Sequence, residues 1–481
     1  MNNSIQQFAE IEIPKLEQIE KNFFQNPSCF PQCVFTLRRI LTEIGCQFLS
    51  GMLEEYNTML EGSVKRRRTW QIKDQSRKSL LTSIGSISFT RTRFQNKTTG
   101  RSVYLLDQLM GLSPHVRISR DAEAVILNEA ADVSYQKAGT RISPFEPVSR
   151  ETVLRHVHKA EIPLRPEEGK PELREIPYLY VEADEDHAAL QYLDKKGDVK
   201  HWKGIGNNGL NVKLVYVHEG YEKEGTRHAL KHAVYFGGVY DGEENETLWN
   251  EVEEYINQTY NRDTLREIYF QSDGGNWMKR GRKQLGAKFV LDEFHLKKYI
   301  GKLERITVGE DAEKKKELEG WIREGKRKRL GEWGKEWEEK LDEKGRKKLE
   351  ESLGYLKRNW DGIRRRVQKG EGVLGSSTEG HVSHVVSSRM SSRPMGWSRR
   401  GADQMARIRV YRKNGGDFRK LEKRKEGTGR REEERVFSAE EMLKWERQTR
   451  KRDGIYIERI QAHLSRNTAK KLYFQTSLSG I

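Results

Sequence analysis

Cysteine is scarce in this chain of 481 residues: Cys29, Cys33 and Cys46 are the whole complement, and all lie among the first fifty. An odd number with no paired His/Cys set excludes both a disulfide framework and a zinc site, and it points to reduced, structural thiols. Long apolar runs are missing as well. No stretch of about 18 apolar residues exists, so no membrane-spanning helix is expected, in keeping with a mean hydropathy of −0.88. The opening residues, MNNSIQQFAEIEIPK, have neither the charged n-region nor the apolar h-region of an export leader, and the expectation is a soluble, cytoplasmic protein. Acid is the minority charge. Lys plus Arg number 89 against 72 Asp plus Glu, a formal net charge of +17, which points to a polyanionic partner, nucleic acid ahead of a membrane surface.

Because acid is outnumbered, the places where it gathers carry information. Ile176 to Asp186, IPYLYVEADED, reads as a buried strand whose apolar residues end in Asp184, Glu185 and Asp186. A second strand of the same make, Ile268 to Ser272, ends in Asp273 and runs into Gly274-Gly275 and a helix-like stretch. A lone Asp at a strand end often does no more than cap the next turn. Two of them in a basic chain suggest a metal site that handles phosphate.

Residues 1–75 read as an N-terminal helical region with apolar residues at three- and four-residue spacing. Residues 76–160 read as a DNA-binding region. There TSIGSISFTRTRF (82–94) suggests strands with Arg91 and Arg93 on one side, placed to touch a DNA backbone or to form a solvated face. A helix through Ala122 to Ala130 leads to SYQKAG, and Ser149 then N-caps a helix from Arg150 to Lys159. Val153 and Leu154 are expected to face inward and Arg150, Arg155, His156 and His158 outward, as in a helix-turn-helix with a basic recognition helix; the plain alternative is a helical hairpin. A Pro/Glu-rich linker occupies 161–177.

Beyond it, 178–295 reads as strands at Ala188–Leu193, Leu210–Val217 and Ala233–Val239, a helix at 247–260, the second acidic strand, a helix near 277–285 and a strand at 287–291. The order β-β-β-α-β-α-β is that of a ribonuclease-H-like mixed sheet. Residues 296–372 form a charged helical insertion whose Trp321, Trp333, Trp337 and Trp360 suit the inner face of packed helices. Residues 373–402 carry a helix with Glu379, and 403–481 form a basic C-terminal region. Two phosphate-motif matches are set aside. GIGNNG (204–209) precedes a strand where the dinucleotide fingerprint needs a helix, and GWIREGK (320–326) has no strand before it and Arg327 where a P-loop has its Ser/Thr.

Asp184, Asp273 and Glu379 remain as a candidate triad. Converging carboxylates suit hard cations, two Mg²⁺ ions about 3.5–4 Å apart, with Mn²⁺ as the substitute. Without metal they would repel one another and raise their own pKa values. The succession VEADEDH, YFQSDGG, LDEFHLKKY and SSTEGHVSHVVSSRMSSRPMGWS resembles the bacterial insertion-sequence transposases of the Lre type, relatives of the Mutator-like DDE transposases. LLTSIGSISFTRTRF, LLDQLMGL and ADVSYQKAG resemble their amino-terminal half. The resemblance implies a ribonuclease-H-like core interrupted by the helical insertion, with Asp184, Asp273 and Glu379 as catalytic and metal-binding acids and Asp186 as the fallback for the first. Asp292 and His295 match a D-x-F-H segment of related transposases, which implies a role near the site or in holding DNA, against a structural salt bridge or cap. Arg389 and Trp397 are candidates for holding phosphate and stacking on a distorted base, with packing the plainer role for Trp397. The implied activity is metal-dependent cleavage and strand transfer on double-stranded DNA, at element ends and target, by a homo-oligomer associated with the bacterial nucleoid. The alternatives are a non-catalytic DNA-binding regulator and a structure-selective nuclease with the same core.

Overall fold

The computed structural model describes residues 11–421 apart from 164, 166–171, 192–200, 203–204, 207–208, 226, 310 and 393–394, together with 444, 447 and 448. The chain divides into two compact units, one of residues 1–129, 134–153 and 422–481, the other of 130–133 and 154–421.

The first unit begins with α1 (Ile13–Gln25) and the long α2 (Phe30–Gly62), opened by Pro31 in its first turn, where a missing N–H leaves no hydrogen bond unmade. After α3 (Val64–Thr69) come β1 (Trp70–Leu81), β2 (Ser86–Asn96) and β3 (Ser102–Tyr104), an antiparallel sheet in the order β1-β2-β3. Leu53 and Leu60 of α2 pack on Ile87, Phe89 and Phe94 of β2, and buried Asn57 accepts from Thr92 N at 2.9 Å. The other side of α2 leaves Phe30, Val34, Leu37, Leu41, Phe48 and Met52 exposed. Residues 82–85, expected as strand, are instead the turn between β1 and β2, closed by Thr82 N donating to Gly85 O at 3.0 Å. The polar sequence of β1 had hidden the first arm of this hairpin.

Then follow α4 (Leu105–Leu109), α5 (Arg120–Ala130), α6 (Tyr135–Gly139) and α7 (Arg150–Lys159). Ser149 does cap α7, its hydroxyl accepting from Thr152 N at 3.2 Å. Val153 and Val157 are buried, but Leu154, expected to face inward, is 38% exposed. The stretch 140–149 between α6 and α7 is longer than the 3–4-residue turn of a helix-turn-helix.

The second unit is built on a five-stranded sheet. Its strands are β4 (Tyr178–Ala189), then, after the two-residue β5 (His201–Trp202) and β6 (Ile205–Gly206), β7 (Gly209–His218), and, after the hairpin β8 (Tyr221–Glu224) and β9 (Arg227–Leu230), β10 (Val234–Gly238), β11 (Glu267–Ser272) and β12 (Lys288–Leu291). The order is β10-β7-β4-β11-β12, antiparallel across the first three and parallel across the last three. Ala188–Leu193, expected as a separate strand, is instead in part the end of β4, because pairing with β7 continues through Ala189 opposite Gly209. The KKGD turn at 195–198 lies outside the described residues.

Leu179, Val181 and Ala183 of β4 point into a core with Phe270 and with Leu248, Trp249, Val252 and Ile256 of α8 (Glu244–Thr259). In α9 (Asn276–Gln284), Gly281 faces the indole of Trp249 so closely that a Cβ there would lie 2.2 Å from the ring. Tyr180, Glu182, Asp184 and Asp186 alternate onto the opposite face.

The insertion consists of α10 (Glu293–Ile306), α11 (Ala312–Arg323), α12 (Arg327–Glu338), α13 (Glu343–Arg358) and α14 (Trp360–Gln368). Its core holds Trp321, Trp333 and Trp360, with Trp337 partly buried against it, as the spacing predicts. It also covers the sheet's edge. Arg365 of α14 donates to Phe289 O at 3.0 Å and Arg366 to Leu291 O, filling outward carbonyls of β12. The chain closes with α15 (Thr378–Val382), a π-turn over Ser383–Ser387, α16 (Ser388–Met390) and α17 (Arg399–Lys413). Helix α17 packs on β10, so residues 403–413, expected in a basic tail, complete the sheet's cover. The Lys/Arg-rich run 419–435 lies mostly outside the described residues.

Candidate active site

The sheet's register builds the acidic cluster. Gln271 of β11 lies opposite Glu182 of β4, and Ser272 opposite Leu291 of β12. Continued past the last bonded pairs, the same registers set Asp273 beside Asp184 and Asp292 beside Asp273. Carboxylates thus sit side by side where β11 and β12 end and, next to them, within β4, which runs on to Ala189.

Asp184 is 8% exposed. Burial pushes its carboxyl up to about 7, and the charges of Asp273 and Asp292 push the same way, while Glu185 N–H and His295 pull against them. Asp292 is also buried, but donors outweigh burial and hold it down at about 2. Those donors are His295 N at 3.0 Å, His295 Nδ1 at 3.2 Å and the Ser376 hydroxyl. Burial lowers the His295 imidazole, yet its bond to Asp292 and the nearby Asp184 and Asp273 win and raise it. Asp292 therefore has the capping role that was one of its two readings, and it sits in the cluster as well.

Asp273 turns back on itself, its Oδ1 accepting from Gly275 N at 2.8 Å. From the insertion, the Tyr355 hydroxyl donates to Asp273 O at 2.7 Å, and Asn359 lies against Gly274, whose φ of +83° and lack of Cβ permit that approach. Asp186 accepts from the Ser391 hydroxyl.

Glu379 is exposed in the first turn of α15, a helix that packs on β4. With Asp292, Phe294, Ser377, His381 and Lys413 it lines a cavity of 420 Å³. Burial pushes the His381 imidazole down to about 4, so that wall holds a neutral ring. Among the described residues no three Asp, Glu, His or Cys side chains are grouped to hold a metal ion. The strands bring Asp184, Asp273 and Asp292 together; Glu379 shares the cavity with Asp292 only.

The chemistry of the cluster fits a hard divalent cation. Asp184 and Asp273 offer oxygen donors at adjacent strand ends, and Mg²⁺ commonly takes one or two carboxylates and fills its shell with water and substrate phosphate.

Several expected DNA contacts are committed inside the fold. Arg389 is 5% exposed, its Nε donating to Ala130 O at 3.0 Å, and its guanidinium lies 4.9 Å from the ring of Trp397. Trp397 is buried too, its indole N–H donating to Met390 O at 3.0 Å. Both side chains are buried and donate to backbone carbonyls inside the fold rather than standing on the surface. Arg91 pairs with Asp107 and stacks on Tyr104 at 3.7 Å, and Arg93 pairs with Asp74. Arg150 lies beside Glu151, and Arg155 is exposed. Sequence reasoning passed over Glu182, a fully buried carboxylate one strand-face step before Asp184; its alternation with Tyr180 and Asp184 was the available signal.

The fold and this cluster define an α/β protein with carboxylates side by side on three adjacent parallel strands. The chain belongs to the family described as "Uncharacterised protein family (UPF0236)", matched over residues 26–427. Similar proteins include a UPF0236 protein of Caldanaerobacter subterraneus subsp. tengcongensis, 32% identical over 85% of this chain and 83% of that protein, whose name joins eleven locus labels of that organism. Another from the same organism is 33% identical over 81% of this chain and 75% of its own length. A UPF0236 protein of Streptococcus gallolyticus is 24% identical over 78% of this chain and 83% of its own. Among solved structures, the Drosophila P element transposase strand transfer complex aligns over 65% of this chain and 82% of that one, at 12% identity and a TM-score of 0.20; so loose an overlap has no bearing on the site. Among the described residues no helix is long and apolar enough to cross a membrane.

Proposed function

We propose that this protein is a DNA transposase of the DDE type, cutting and joining DNA at the strand-end acids of a ribonuclease-H-like core. The observation that carries the reading is the parallel register that sets Asp273 beside Asp184. The sheet order, three antiparallel strands followed by two parallel ones, supports the ribonuclease-H-like assignment. A relative carried under eleven locus labels of one genome supports a mobile element.

In this reading Asp184 and Asp273 are the paired metal ligands, Glu379 is the third acid across the cavity from Asp292, and Mg²⁺ is the cofactor. A divalent cation bound there would screen the phosphate's charge and acidify an attacking hydroxyl. Asp292 holds His295 and Ser376 in place, and the Tyr355 hydroxyl fixes the Asp273 backbone. Water attacks the scissile phosphorus and gives up a proton as the P–O3′ bond breaks and the leaving 3′ oxygen takes one up; that 3′-OH then attacks a target phosphodiester, losing its proton as the target's P–O3′ bond breaks and the displaced 3′ oxygen is protonated. Element ends and target DNA are the substrates, and the working form is a homo-oligomer on DNA in the nucleoid. Arg150 and Arg155 of α7 are the DNA contacts retained.

The test is a supercoiled-plasmid assay with element-end DNA and Mg²⁺. Asp273→Ala is expected to abolish both nicking and joining while DNA binding persists, and unchanged cleavage would falsify the reading. A second reading, DNA binding without catalysis, draws on the exposed position of Glu379 outside any three-acid group. It requires that wild-type protein bind ends and never nick them. Cleavage without joined products would indicate a nuclease.

A further inference from the structure

Glu182 has no exposed surface, less than any other acid of the second unit among the described residues, and none of the chemistry above uses it. A bare carboxylate in such a place is costly, so its partners show what it is for. On Oε2 it accepts from the Tyr216 hydroxyl at 2.7 Å, from Ser377 N at 2.9 Å and from the Thr378 hydroxyl at 2.7 Å. On Oε1 it meets His218 Nε2 at 3.1 Å and the Ser377 hydroxyl at 3.4 Å. These donors outweigh burial and keep the carboxyl below its ordinary range. Three of the five bonds reach 195 or 196 residues along the chain, to the two residues that immediately precede Glu379.

Helix α15 needs such help. It has five residues, and no side-chain hydrogen bond from its own N-cap, Ser377. It opens a helical run that continues without a break through the π-turn and α16 to Met390, and the free N–H groups at the start of that run need an acceptor. Glu182 supplies one from another element. Beside it, Ser376 is tied to Asp292 at the end of β12. Residues 376–378 are thus held at two points, Glu182 within β4 and Asp292 at the end of β12, and Glu379 is the next residue.

We infer that Glu182 is a positioning residue: it fastens the start of α15 to β4 and thereby sets Glu379 over the cavity that Asp292 also lines. The inference rests on the proposed role of Glu379, but the tether itself can be tested without any reaction. Glu182→Ala removes every acceptor. Glu182→Gln keeps an amide oxygen for Ser377 N, Tyr216 and Thr378 and turns its NH₂ toward His218.

Hydrogen exchange of the 377–382 amides and plasmid nicking are measured on full-length protein. In Glu182→Ala, exchange over 377–382 is expected to quicken by about tenfold or more, as when a buried acceptor is lost. Nicking is expected to fall by about 100-fold while affinity for element-end DNA stays within about twofold, as when a group acts only at the reacting centre. Glu182→Gln is expected to restore both to within about tenfold of wild type. Exchange equal to wild type in Glu182→Ala overturns the inference, as do nicking and DNA affinity that fall together. Should Glu182→Ala not fold, Thr378→Val removes a single bond and must quicken exchange over 377–382, though less. Wild-type protein that never nicks DNA refutes the transposase reading, and the exchange measurement still decides the tether.

Discussion

Asp184 is held in the fold as a weaker acid than it is in the unfolded chain. Its carboxyl titrates at about 7 when folded and in the ordinary carboxylate range when unfolded. Between those values the folded protein binds the extra proton, so stability falls as pH rises toward and through 7. His295, raised in the fold, adds stability below its unfolded pKa that is lost as pH rises through its higher folded value, the same direction. The lowered His381 acts oppositely, removing stability as pH falls from about 6.5 toward about 4. Metal-free protein should therefore lose melting temperature between pH 6 and 8, as calorimetry would record. Asp184→Asn should flatten that slope and gain roughly 2 kcal/mol at pH 8; a variant that keeps the full slope would show the destabilisation lies elsewhere. Added Mg²⁺ should raise the wild-type melting temperature at pH 8 more than that of the variant. Asp184 and Asp273 were legible in the sequence because each follows closely on a short apolar run that reads as a buried strand, although β4 itself runs on past Asp184 to Ala189. Arg389 was misplaced because its burial depends on residues far along the chain, such as Ala130, which no local pattern reveals, whereas the packing role favoured for Trp397 matches its burial.

Among the elements, strands and helices of the second unit came close to their expected limits wherever apolar alternation or a three-to-four spacing was strong, as in β7, β10 and α8. The failures share a cause. Strand β1 is polar on both faces along much of its length and gives no alternation to read, while β4 outran its apolar core because β7 continued to pair with it. Helix pairs were recognised without the length of the loop between them, which is what takes α6 and α7 away from a helix-turn-helix. Close contacts between elements were likewise invisible. Gly281 lies within the helix expected near 277–285, and the Trp249 ring fills the space its side chain would take. Gly281→Ala should destabilise by about 1–3 kcal/mol through overpacking, measured by urea unfolding with an unchanged m-value. No loss of stability would mean that Trp249 has room to move aside.

At the scale of the whole molecule, the surplus of positive charge was plain from composition, with 89 Lys and Arg against 72 Asp and Glu. If phosphates are the partner of that charge, affinity for DNA should drop by about a thousandfold or more from 50 to 200 mM salt, given 6–10 phosphate contacts. A flat salt response in a filter-binding or anisotropy titration would remove the charge argument. The long insertion was read as a separate charged block, and its composition says nothing of where it docks. Its arginines occupy the outer backbone of β12, and Tyr355 and Asn359 brace the Asp273 turn. A shortened gene lacking 296–372 would therefore not yield a leaner enzyme. It would leave a naked β-edge ready to recruit other chains and a slack loop where the second acid belongs, so internal deletions of this kind should accumulate as insoluble remnants.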